Sequence, residues 1–130
     1  MKKTILILLL AFSAVIATDF DWAPNLKSAE KEAAKENKLV FLMFSQKTCR
    51  ICNYMKEKVF EDESVVNFIT LHFVPVEIDI NEAKVPEGFR VIGTPTFYIL
   101  KPDGEPVGRP IVGGAKAPAF LKKLEGYIQR

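Results

Sequence analysis

Six apolar residues in a row, Leu39-Val40-Phe41-Leu42-Met43-Phe44, show no polar alternation. Such a run fits a parallel strand buried on both faces, and so an α/β architecture. Both cysteines of the chain follow within a few residues, in Cys49-Arg50-Ile51-Cys52. Beyond them Cys52, Met55 and Val59 recur at helical spacing, with Asn53, Lys56, Glu57 and Lys58 between them. A strand, the polar connection Ser45-Gln46-Lys47-Thr48 and a helix ending near Phe60 place Cys49 at a helix start. Cys52 then follows one turn later on the same face.

That placement has a chemical consequence. The unpaired N–H groups and the dipole at a helix N-terminus favour negative charge, so a thiol there ionises readily. Cys49 is the candidate nucleophile, and Cys52 is placed to attack a mixed disulfide and expel the substrate. The cations Lys47 and Arg50 favour the same thiolate, which stabilises the reduced form and makes the disulfide more oxidising. A closed zinc site needs four ligands, and the chain offers Cys49, Cys52 and its single histidine, His72. An inert structural disulfide closing so short a loop would constrain little of the unfolded chain. Two other readings use the same residues. A Cu(I) carrier would employ the two soft thiolates together with His72, and a redox-quiet adaptor would use the surrounding groove for binding alone.

The N-terminus adds a compartment. Met1-Lys2-Lys3 precedes an almost wholly apolar stretch from Thr4 to Ala17 that ends in Val15-Ile16-Ala17. A positive start, a short apolar run and small residues at its end read as a secretory signal over 1–17, with the domain over 18–130. The chain carries 18 Lys+Arg against 16 Asp+Glu, and without Lys2 and Lys3 the two balance. No basic field remains to argue for nucleic acid. The length of the stretch 18–130 suits one domain with one core.

In chain order, Trp22 lies in a short extended segment before an amphipathic helix that carries Leu26, Ala29 and Ala33 on one face. After the cysteine helix, Asp62 or Ser64 can cap a helix bearing Val65, Val66, Phe68 and Ile69. Alternating Val74, Val76, Ile78 and Ile80 predict a strand, and Pro75 puts it at an edge or interrupts its pairing. His72 stands at the junction before it. Asn81 to Arg90 reads as a loop, Thr96 to Leu100 as a strand, Pro102 to Glu105 as its turn and Val107 to Val112 as a returning strand. Gly113-Gly114 breaks the chain, Pro118 opens a last helix, and Phe120, Leu121, Leu124, Tyr127 and Ile128 supply its core side.

With the CxxC after a buried strand and Thr94-Pro95 before a hairpin, the chain resembles the thioredoxin superfamily over 22–130. More narrowly it resembles the secreted thioredoxin-like branch, with a lysine-rich first helix, a CxxC, an acidic turn and the strand Phe73-Val74-Pro75-Val76. The resemblance implies a thioredoxin fold, α/β, with a central mixed sheet of about four or five strands flanked by helices. It implies a protein thiol-disulfide oxidoreductase, periplasmic or secreted, that works on protein thiols and disulfides and exchanges electrons with a membrane redox partner. It implies no cofactor beyond the Cys49–Cys52 disulfide and no metal. Pro95 would be cis, would shape the groove and would keep metal from bridging the thiols, while the Thr94 backbone would pair with an extended substrate. Where thioredoxin proper has tryptophan, Gly-Pro and a buried aspartate, this chain has Thr48, Arg50-Ile51 and Met43. Glu77 and Asp79 are left as the carboxylates that could serve the resolving thiol through water.

Overall fold

The structure, a computed structural model, describes residues 21–129, so the signal assigned to 1–17 lies outside the described residues. The apolar run becomes β1 (Leu39–Ser45), buried at every residue after Leu39. It pairs in parallel with β2 (Phe73–Asp79) and antiparallel with β3 (Thr96–Leu100), and β4 (Ile111–Val112) completes the order β2-β1-β3-β4. Four helices flank this mixed sheet: α1 (Leu26–Glu36), α2 (Arg50–Glu57), α3 (Glu63–His72) and α4 (Ala117–Ile128). This is the thioredoxin fold.

Alternation along β1 divides the core into two layers. Val40, Leu42 and Phe44 face α1, where Ala29 and Ala33 are small enough to let the helix lie close on the sheet. Phe41 and Met43 face α2, α3 and α4, with Cys52, Met55, Ile69, Phe120 and Leu124. Phe41 centres an aromatic cluster, its ring centroid 5.4 Å from Phe97, 5.8 Å from Phe60 and 6.2 Å from Phe120. Each such side chain, fully buried, contributes about 1.5–3 kcal/mol.

Helix ends follow local chemistry. Asn25 caps α1 by accepting the Ser28 N–H at 2.8 Å, and Asn37 ends it with φ 56°. Asp62, one of the two expected caps, accepts the Val65 N–H at 3.2 Å and starts α3. Two expected boundaries shift. Instead of reaching Phe60, α2 stops at Glu57, and a 3-10 turn over Val59–Glu61 drives Val59 and Phe60 into the core. The strand expected from Val107 to Val112 pairs regularly only at Ile111 and Val112, with one isolated bridge from Pro106 to Leu100. Pro106 and Pro110 lack N–H donors and Gly108 takes φ 66°, so a continuous ladder cannot form there. In α4, Phe120 and Leu124 are fully buried, whereas Leu121, Tyr127 and Ile128 pack at the margin of the core.

Pro75 sits in β2, whose outer side meets the segment before α1. There the Ala23 N–H donates to the Pro75 carbonyl at 2.8 Å. Trp22 covers the neighbouring core, its ring edge-on to Phe60 with centroids 6.0 Å apart.

Candidate active site

The C-terminal end of β1 delivers the chain into the turn that starts α2. The Gln46 carbonyl accepts the Cys49 N–H at 3.1 Å, and Cys49 is the N-cap of α2. Cys49 and Cys52 form a disulfide with Cα atoms 5.2 Å apart. The Cys52 N–H points at the Cys49 sulfur, N to Sγ 3.1 Å. The two sulfurs differ in access: Cys52 is fully buried, while Cys49 is half-buried at the surface.

Opposite Cys49 stands the turn before β3. The Thr94–Pro95 peptide is cis, Pro95 is buried, and the Thr94 carbonyl oxygen lies 3.5 Å from the Cys49 sulfur. The turn is pinned on both sides of Thr94. The Thr96 hydroxyl donates to the Gly93 carbonyl at 2.6 Å and the Gly113 N–H to the Pro95 carbonyl at 2.8 Å. A groove of about 350 Å³ runs beside the disulfide, lined by Ile51, Tyr54, Thr94, Pro95, Gly113 and Gly114. Gly114 lets the chain pass close to α2, since a Cβ there would come within 2.5 Å of Ile51 Cγ2 and force that side chain to shift.

The charged neighbours are distributed unevenly. Arg50 is exposed at the first position of α2. Lys47 forms an ion pair with Glu82 in the loop after β2. That Glu82 bond, and then the charges of Glu82 and Asp79, hold the Lys47 ammonium above the ordinary lysine value. Much of the Lys47 field at Cys49 is therefore offset by Glu82.

Met43 occupies the place of the missing carboxylate, and the strand register sets Glu77 beside it on β2. One Glu77 oxygen accepts the Ser45 hydroxyl at 2.9 Å and is 2.9 Å from the Lys56 ammonium on α2. Asp79, further along the same strand, accepts the Asn81 N–H at 2.9 Å. His72 stands at the opposite end of β1 from the cysteines, its ring 4.5 Å from Phe68, and is not brought to the site. Among the described residues no group of three or more His, Cys, Asp or Glu is placed to hold a metal ion.

A family model described as a thioredoxin-like domain matches residues 26–128. The chain belongs to that family. Its fold superposes on DsbH oxidoreductase with TM-score 0.71 and 18% identity, covering 93% of this chain and 92% of that one. A Thermus thermophilus thioredoxin superposes with TM-score 0.64 and 28% identity over 77% of this chain and 81% of that one. Among curated proteins, human spermatogenesis-associated protein 20 is 37% identical over 62 residues, 48% of this chain. Those residues make up 8% of the human protein, so this thioredoxin-like chain spans only a small part of that relative's length.

Sequence reading missed Gln46, Asn81 and Gly114. The side chain of Gln46 bonds Thr94 and Asn81, 48 and 35 positions away, and no local pattern signals such partners. Gly114 was legible only as a chain break.

Proposed function

We propose that this thioredoxin-like protein is a thiol-disulfide oxidoreductase that exchanges disulfides with protein substrates in the cell envelope. The observation that carries the proposal is the asymmetry of the pair: a half-buried Cys49 whose sulfur receives the Cys52 N–H, and a fully buried Cys52 behind it.

In the reducing direction the Cys49 thiolate attacks one sulfur of a substrate disulfide. The S–Cys49 bond forms, the substrate S–S bond breaks, and the first substrate sulfur leaves as thiolate. The Cys52 thiolate then attacks Cys49 Sγ and releases the second. Substrate gains two electrons and the enzyme ends as the disulfide; oxidation of a dithiol is the reverse. The sulfur that a client can reach is Cys49, so it attacks, and the enclosed Cys52 resolves. The Thr94 backbone and Pro95 form the floor on which an extended client segment lies. Arg50 and the start of α2 favour the Cys49 thiolate, with Lys47 a weaker contributor because of Glu82.

Each cycle leaves the pair in the wrong oxidation state for the next, so a partner must restore it; in the envelope a membrane redox protein fits that need. The leader-like composition of 1–17 supports the location. Titrating the protein in defined glutathione mixtures while counting free thiols tests the activity. A reversible two-electron couple is expected, and a disulfide that never exchanges would overturn the reading. Intact mass of envelope-fraction protein, expected to begin at Thr18, tests the location.

A further inference from the structure

Gln46 is the first residue past β1, half-buried, and it joins three segments of the site. Its backbone carbonyl accepts the Cys49 N–H at 3.1 Å and so shapes the turn that delivers the sulfur. Its side-chain oxygen accepts the Thr94 hydroxyl at 3.0 Å. Its side-chain nitrogen donates to Asn81 Oδ1 at 3.2 Å. Asn81 is itself fixed to the sheet, because its N–H donates to Asp79 and the adjacent Ile80 N–H donates to the Ser45 carbonyl at 3.0 Å. The Gln46 amide therefore ties the Thr94 turn to the end of the β1–β2 pair. The bonds flanking Thr94, from Thr96 to Gly93 and from Gly113 to Pro95, hold the turn to β3 and β4. The Gln46 bond holds it to the segment that carries Cys49.

We infer that Gln46 is a positioning residue for protein disulfides, holding the Thr94 backbone at a set distance from the Cys49 sulfur. The inference rests on the oxidoreductase reading above. A client disulfide must satisfy two requirements at once: its sulfur in line with Cys49, and its backbone laid along Thr94. The Thr94 carbonyl lies 3.5 Å from Cys49 Sγ, so a small shift of the turn changes the distance between those two contacts. A small disulfide that offers only its sulfurs does not use the second contact. Misplacement by about an ångström is enough to cost a reaction heavily when two groups must be aligned. Gln46 should thus govern selectivity between peptide and small disulfides more than the reactivity of the sulfur.

The test uses the mature protein, dithiothreitol as reductant, and two substrates: a synthetic peptide closed by one disulfide, and bis(2-hydroxyethyl) disulfide, which has no peptide backbone. In Gln46→Leu the amide is lost with little change of size, and KM for the peptide should rise roughly 2–10-fold, the value of one neutral hydrogen bond. The ratio of peptide to bis(2-hydroxyethyl) disulfide kcat/KM should fall by the same factor. Thr94→Val cuts the same bond from the other end, and it carries the test should Gln46→Leu fail to fold. The double variant should be no worse than the poorer single one, the signature of a shared interaction. Gln46→Glu still accepts the Thr94 hydroxyl, and Asn81 can turn its amide to donate. KM should therefore return toward wild type, while the added negative charge beside Cys49 lowers kcat on both substrates. Equal loss on both substrates in Gln46→Leu, an unchanged peptide KM, or additive effects in the double variant would overturn the role of Gln46 while leaving the enzyme reading intact. A wild-type protein inert toward both substrates would instead overturn the enzyme reading, and this inference with it.

Discussion

Cys49 and Cys52 are separated by two residues, yet their sulfurs meet different surroundings, and the proposed roles rest on that difference. Cys52→Ser should accumulate mixed disulfides with client proteins, because Cys49 still attacks and nothing resolves the adduct. Cys49→Ser should trap almost none, since the remaining sulfur is enclosed by the core. Non-reducing gels read the outcome, and equal trapping by the two variants would overturn this division of roles. On the proposed reading, charge near the pair tunes its reduction potential. Glu82 offsets the Lys47 charge, so Glu82→Gln should release that charge to favour the Cys49 thiolate and raise the reduction potential. Arg50→Glu should act in the opposite sense. One full unit of thiol pKa corresponds to about 1.4 kcal/mol, or roughly 30 mV for two electrons. Both side chains stand in solvent, so screening keeps each shift below that. A glutathione series on the three proteins checks the order Glu82→Gln above wild type above Arg50→Glu.

At the level of elements, the caps are the cheapest parts to probe. Asp62→Ala removes the acceptor for the Val65 N–H at the start of α3 and should lower stability by about 0.5–2 kcal/mol. The urea midpoint should fall while the reduction potential stays put, because the lost bond lies at the start of α3 and involves neither cysteine; a changed potential would show that α3 bears on the pair. Asp62 was readable from sequence because a cap is a local event, and so were the strand from Leu39 to Phe44, which runs one residue further to Ser45, and the start of the cysteine helix. The end of α2 was not. Helical spacing carries on through Val59, but burial of Phe60 among Trp22, Phe41 and Phe97 turns the chain into a 3-10 turn before that position. The short β4 was half legible: Pro106 and Pro110 announced an edge, yet where pairing resumes depends on β3. In the site, the CxxC and Thr94-Pro95 were visible as motifs. The bonds of Gln46 to Thr94 and Asn81, and the placement of Glu77 beside Met43, arise from strand register and from contacts across more than thirty residues. Local composition contains no record of them.

For the whole molecule, the two oxidation states should differ in global stability, with a sign that depends on pH. The disulfide restricts the unfolded chain, but a loop this short gives the oxidised form only roughly 2 kcal/mol by loop closure. Opposing it on the proposed reading, a Cys49 thiolate in the reduced protein would be stabilised by the start of α2 and by the Cys52 N–H, which in the disulfide form points at the same sulfur. A hydrogen bond to a charged group contributes about 1.5–3 kcal/mol, and a charge at a helix end about 0.3–1 kcal/mol. Where the thiolate is fully formed, these equal or exceed the loop-closure effect. On that reading folding favours the ionised form of Cys49, and its contribution is complete above the ordinary thiol pKa of about 8.5. It is lost on acidification, as the thiolate takes up its proton. The reduced protein should therefore unfold at the higher urea concentration in mildly alkaline buffer. The gap should narrow on acidification, and the oxidised protein should become the more stable form once Cys49 is protonated. Paired urea curves for the two states across this range make the measurement. An oxidised form that stays more stable at every pH would mean that the fold favours the disulfide, placing the protein among reductants and removing the thiolate-driven oxidising potential inferred from the helix start.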